Sequence, residues 1–223
     1  MTQSLFDKTI ACSQAIGNAF KQSGDLISGT TTGAYITDFE YQSNKYRRAH
    51  ISTIDARETK KLYLLHCTIF PHFNDPSPIF GFDVVCGPTK VSGAFLDYSK
   101  SGDSNSFMYL WFKSQVANLE WNKPRELPEW AKNIFSPSMV AIGAVNDKEL
   151  GEFIALGVDA LNFYIDNIGK DQQSGMDYHM AQNRYCRYQK QNPQTPRALQ
   201  HLGLSEIEAK TYISNMLFPE INY

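Results

Sequence analysis

The chain has 223 residues, 42% apolar and 20% charged, with a formal net charge of −2. That length suits one domain spanning residues 1–223 and is enough to bury a real core, and the near-neutral charge gives no global pull toward nucleic acid. There is no apolar run of roughly eighteen residues to cross a membrane, no signal-peptide pattern in MTQSLFDKTIACSQ, and no CxxC pair among Cys12, Cys67, Cys86 and Cys186, so a cytoplasmic protein with reduced thiols and no cysteine-rich metal site is expected.

In chain order, residues 5–21 read as a helix, because Phe6, Ile10, Ile16 and Phe20 recur near helical spacing. Residues 23–34, SGDLISGTTTGA, read as loop. Residues 34–41 and 46–55 read as paired strands with a turn at 42–44. Residues 62–99 read as three strands, with breaks in PHFNDPSP and at 86–90. The run FMYLWFKSQVANL, 107–119, fits strand or helix, and Pro124, Pro128 and Pro137 then hold the chain extended or turned. Residues 138–145 read as a further strand. A long helix follows, with Asn146 as N-cap, Asp147 and Glu149 in its first turn and Gly169 at its C-terminal end. Ser174 or Gly175 opens another helix to about Lys190, and Ser205 with Glu208 forms a capping box for a last helix ending near Leu217. Strands before helices predict an α+β fold: a mainly antiparallel meander with helices on its faces.

The stretch 62–99 organises the rest. If its first hairpin is centred between Asn74 and Asp75, His66 lies opposite Asp83 with Cβ atoms about 5 Å apart. If the second is centred between Pro88 and Thr89, Asp83 faces Ala94 and Val85 faces Ser92. One face then carries His66, Asp83, Ser92, Ala94 and Gly81, two titratable groups amid small side chains with room for something flat. The other face carries Phe80, Phe82, Val84 and Phe95 and reads as core. On residue chemistry alone, His66 and Asp83 are a cross-strand polar pair on a solvated face.

The run HCTIFP…PIFGFD, together with NKPRELPEWAKNIFSP (122–137) and RYCRYQKQN (184–192), resembles the ferredoxin-dependent bilin reductases, with matches between about Tyr46 and Phe218. The resemblance implies an α/β/α sandwich that holds biliverdin IXα between the sheet and the C-terminal helices. It implies no resident cofactor or metal, with single electrons drawn from a reduced 2Fe–2S ferredoxin. Asp83 becomes the central proton donor and His66 its partner; a desolvated carboxyl group can donate near neutral pH, and such a pair titrates as a unit. His50 becomes a substrate-pocket histidine, Arg125 a ligand for a bilin propionate, Ser92 a hydrogen-bond donor to the other propionate, and Asn192 part of the pocket. For each, a bland surface or spacing role is the alternative. Lys45, Arg47, Arg48, Arg57, Lys60 and Lys61 read either as a solvated sheet edge or as a docking patch for acidic ferredoxin.

Two departures from the phycocyanobilin-forming members bear on the product. Ser52 stands where they carry a glutamate that serves vinyl reduction, and Pro193 stands where several members carry an acidic proton donor. That pattern resembles the phage-type branch, so the expected product is phycoerythrobilin, in a cyanobacterial or phage-infected cell. The alternatives are phycocyanobilin, a two-electron dihydrobiliverdin, a non-catalytic bilin carrier on the same fold, or an unrelated α+β binding domain. A monomer is expected.

Overall fold

The computed structural model describes residues 3–101, 106–171 and 176–221. Seven strands follow one another in sequence order across a single antiparallel sheet: β1 (Asp25–Thr32), β2 (Ile36–Gln42), β3 (Tyr46–Ala56), β4 (Leu62–Pro71), β5 (Ile79–Cys86), β6 (Val91–Ser99) and β7 (Val140–Ile142). The meander is as expected, with one strand more. β1 replaces the loop read at 23–34. Its small and polar residues carry no alternation, because it sits at the sheet edge with both faces largely exposed and is paired only to β2. At the other edge β7 is only Val140–Ile142, shorter than the strand expected over 138–145.

Helices cover both faces. On one side α1 (Leu5–Ser23), α3 (Phe107–Val116) and α5 (Asp147–Asn167) close a core around Phe80, Phe82, Val84, Leu96 and Tyr98. On the other, α6 (His179–Gln189), α7 (Gln194–His201) and α8 (Glu206–Tyr212), which runs on into a π-turn at Ile213–Leu217, pack over Ile36, Ile54, Phe70 and Ile79. The result is the expected α/β/α sandwich. The ambiguous 107–119 run is helical. Two short helices, α2 (Arg57–Lys60) and α4 (Glu129–Lys132), and α7 were not expected. The start expected at Ser174 or Gly175 lies outside the described residues, and the described helix begins at His179.

Local signals set the helix ends. Capping boxes close at Ser4/Asp7, Asn146/Glu149 and Ser205/Glu208, each satisfying otherwise orphaned backbone N–H groups. Gly169, just past α5, adopts φ +83°, a left-handed conformation that glycine takes without penalty.

The first hairpin has the expected register: His66 pairs with Asp83. The second follows expectation only at the turn, where Cys86 pairs with Val91. Ser92 is then an extra residue, a β-bulge, so Val85 faces Gly93 and Asp83 faces Phe95. This one-residue shift sends Ala94 into the apolar core and brings Phe95 onto the face with Asp83, the reverse of the symmetric reading.

Candidate active site

One transverse row of register partners crosses five strands: Asp38 on β2, Ser52 on β3, His66 on β4, Asp83 on β5 and Phe95 on β6. Directly opposed residues share a face, and this face lies under the C-terminal helices. At about 4.8 Å per strand the row is about 19 Å long. Exposure rises along it. Asp38 and Ser52 are buried, His66 nearly so, and the Asp83 side chain is 35% exposed. His66 Nδ1 and Asp83 Oδ1 are 2.6 Å apart. The edge of the Phe218 ring covers the His66 imidazole at 5.6 Å between centroids. His66 Nε2 is buried and has no hydrogen-bond partner among the described residues.

The adjacent row brings His50 to the same face, opposite Thr68, with its ring centroid 6.0 Å from that of His66. His50 is fully buried, and burial pushes its pKa down to about 4, against the pull of Asp38. The ring is therefore neutral at pH 7. Its Nε2 lies 2.9 Å from Asp38 Oδ1, and Tyr212 of α8 donates to the same oxygen at 2.7 Å. Ser52 Oγ lies 2.8 Å from the Tyr212 hydroxyl. The carboxylate accepts, so the ring carries its proton on Nε2 and leaves Nδ1 as a bare, buried acceptor with no partner among the described residues.

Ser92 and Arg125 meet beyond Phe95, in an open cleft of about 330 Å³ shared with Lys90 and Lys123. Residues 123–125 run beside β7: Arg125 N donates to Ala141 O at 2.8 Å, and Gly143 N to Lys123 O at 2.9 Å. The Arg125 guanidinium lies 5.6 Å from the Phe95 ring centroid. Gly143 leaves it room, since a Cβ there would come within 3.0 Å of Arg125 Nε. The bulged Ser92 is exposed, its hydroxyl on Val85 O at 3.2 Å. Asn192 is not drawn into either cluster by any side-chain bond. Its Oδ1 accepts from Gln194 N at 3.0 Å and so opens α7; Pro193, between Asn192 and that helix, is exposed.

Of the expected residues, then, Asp83, His66, His50 and Ser52 stand together, Ser92 and Arg125 form the mouth beyond Phe95, and Asn192 supports a turn. Sequence reasoning missed Asp38, Tyr212, Phe218, Lys90 and Lys123. For Asp38 a signal existed, an acid on the strand beside His50, but a symmetric turn at 42–44 puts it opposite Arg48. The β2–β3 pairing instead starts at Tyr41 opposite Ala49, and Asp38 pairs with Ser52. Asp97 was also missed. It lies opposite Gly81 on this face and accepts from Ser136 Oγ, Ser136 N and Ser99 Oγ, tying the 133–138 segment to the sheet.

The expected basic cluster is largely used internally. Lys45 bonds Ile165 O, Arg47 bonds Gln182 and lies over Phe70, buried Arg48 pairs with Glu40, and Arg57 pairs with Asp55. Among the described residues no group of three or more His, Cys, Asp or Glu is placed to hold a metal ion, and no helix is long and apolar enough to cross a membrane.

A model of the family described as ferredoxin-dependent bilin reductase matches residues 8–219. The chain belongs to that family. Among named relatives of this reductase, phycocyanobilin:ferredoxin oxidoreductase of Prochlorococcus marinus (strain MIT 9313) is 30% identical over 204 residues, 88% of this chain and 76% of that one. The enzyme of the same name from Trichodesmium erythraeum (strain IMS101) is 30% identical over 190 residues, 82% of this chain and 75% of that one. Two solved structures share the fold of the reductase. Tomato phytochromobilin synthase in complex with biliverdin superposes with a TM-score of 0.72 at 14% identity, covering 92% of this chain and 82% of that one. PcyX superposes with a TM-score of 0.65 at 24% identity, covering 96% and 99%.

Proposed function

We propose that this bilin reductase converts biliverdin IXα to phycoerythrobilin by a four-electron reduction, at the A-ring system and at the 15,16 methine bridge. In this reading the tetrapyrrole lies along the row that ends at Phe95, with a propionate on Arg125, and the chain acts as a monomeric single domain over residues 1–223 in the cytoplasm. Ferredoxin supplies electrons one at a time, so the bilin itself carries the radical and its basicity rises at each step. Asp83 gives the proton and His66 replenishes it across their 2.6 Å contact.

The observation that carries the choice of product is that two positions hold no acid. Position 52 holds a serine bonded to Tyr212, and position 193 an exposed proline with neither an acid nor an N–H. The relatives named for phycocyanobilin favour the second reading, that another group protonates the vinyl carbon and phycocyanobilin results. Anaerobic turnover of biliverdin with reduced ferredoxin, followed by product chromatography, separates the two. Phycoerythrobilin is expected; phycocyanobilin would overturn the reading of Ser52, and bound but unreduced biliverdin would move the protein to the carriers.

A further inference from the structure

We propose that Asp38 and His50 form a second proton-delivering couple, used for the second two-electron reduction. The inference rests on the four-electron reading above and goes beyond it by assigning that step its own proton source. Two carboxylate–imidazole pairs lie side by side on one sheet face: Asp83 with His66 at 2.6 Å and Asp38 with His50 at 2.9 Å, their rings 6.0 Å apart. Each ring binds its carboxylate through one nitrogen and leaves the other, His66 Nε2 or His50 Nδ1, buried and without a partner among the described residues. Buried polar atoms are normally bonded, so two orphaned imidazole nitrogens on neighbouring rings mark a place for a ligand on this face. One couple serves one set of proton transfers. A four-electron reduction needs two sets at different carbons, and Ser52 supplies no acid on this side.

Asp38 is a positioning residue that acts through His50. The groups facing the ring are Asp38 from β2, Arg48 on its own strand, His66 from β4 and, through Asp38, Tyr212 from α8. At rest the pair is a carboxylate and a ring protonated at Nε2. The negative charge of a reduced bilin draws one further proton onto the pair, and the carboxylate compensates it. In transfer, the N–H bond at His50 Nδ1 breaks and a bond from that hydrogen to the bilin forms. The couple goes from charge zero to minus one, and the bilin radical anion from minus one to zero. Each electron comes from reduced ferredoxin, two electrons and two protons complete each reduction, and solvent restores the couple.

The test compares wild type, Asp38→Asn and Tyr212→Phe in anaerobic single-turnover assays with reduced ferredoxin, with a biliverdin titration of each. Asp38→Asn keeps an acceptor near His50 but removes the charge. It is expected to slow the second reduction roughly a hundredfold, so that a two-electron bilin accumulates, while the first reduction and biliverdin affinity change less than about threefold. Tyr212→Phe removes a hydrogen bond from the same carboxylate but keeps its charge, and is expected to slow the second reduction by at least tenfold less than Asp38→Asn does. Full conversion by Asp38→Asn at the wild-type rate would overturn this inference alone. So would an identical stall in both variants, which would mean that the network only supports the fold. A wild type that stops after two electrons would overturn both this inference and the four-electron reading.

Discussion

His66 and Asp83 became opposed because a symmetric eight-residue break holds the β4–β5 hairpin in register, and that symmetry can be read from the order of Pro, Asn and Asp alone. On the proposed mechanism, Asp83→Asn should lower kcat by at least about a hundredfold while leaving biliverdin affinity within about threefold. An unchanged kcat in stopped-flow turnover would remove Asp83 from the proton path. Of the acids that escaped the sequence, Asp38 stood on the strand beside His50 but in a register the symmetric turn did not give, and Asp97 is tied to the 133–138 segment by contacts that leave no local pattern. Asp97 makes its own prediction. Burial pushes its pKa up from 3.8 to about 6. Between those values the native state holds a proton that the unfolded chain has released. Its contribution to stability is therefore fully present below about pH 4 and is lost as pH rises to 6. The stability advantage of wild type over Asp97→Ala in urea unfolding should shrink by about 2–3 kcal/mol between pH 4 and pH 7. An advantage that stays constant across that range would mean that the three donors from Ser99 and Ser136 keep Asp97 ionised throughout.

The elements with strong local grammar, α1 with its helical spacing, α5 and α8 with their capping residues and the apolar runs of β2 to β5, were legible in advance. Those that depend on neighbours were not. β1 is a strand because β2 offers it an edge, and the Ser92 bulge follows from no residue type. The seat of α5 on the sheet is of the second kind. Gly157 has no room for a side chain: a Cβ there would stand 2.2 Å from Phe82 Cε2, and Phe82 is fully buried and stacked on Phe153 at 5.1 Å. Gly151 in the same helix has nothing within 4 Å of its missing Cβ. Alanine favours a helix over glycine by about 1 kcal/mol, whereas overpacking a core costs about 1–3 kcal/mol. Gly151→Ala should therefore stabilise by up to about 1 kcal/mol, and Gly157→Ala should destabilise by about 1–2 kcal/mol, both read from chemical denaturation. If both variants stabilise equally, α5 moves off the sheet freely and the close approach sets nothing.

At the scale of the whole molecule, the sandwich follows from strands preceding helices, but the electrostatic face does not follow from sequence clustering. Arg48 and Arg57 are neutralised by Glu40 and Asp55, and what stays exposed is gathered by the topology instead. The β3–β4 and β5–β6 turns share one end of the sheet, where a Cβ at Gly87 would lie within 3.2 Å of Lys90 O and 4.0 Å of Lys61 O. Lys60, Lys61 and Lys90 thus form a basic rim that continues through Lys123 and Arg125 at the cleft beside Phe95. With a net charge of −2, the molecule offers an acidic partner no overall attraction, and we propose this rim as the docking surface for ferredoxin. Local charge complementarity mainly raises the association rate, and salt screens it over about 10 Å at 0.1 M. Raising ionic strength should therefore lower kcat/KM for ferredoxin about tenfold while kcat at saturating ferredoxin holds. The triple variant Lys60→Gln, Lys61→Gln, Lys90→Gln should show a similar loss at low salt and a flatter salt dependence. A triple variant with the wild-type salt profile would place electron entry elsewhere on the surface, and a kcat that falls along with kcat/KM would make the rim part of the electron-transfer step itself.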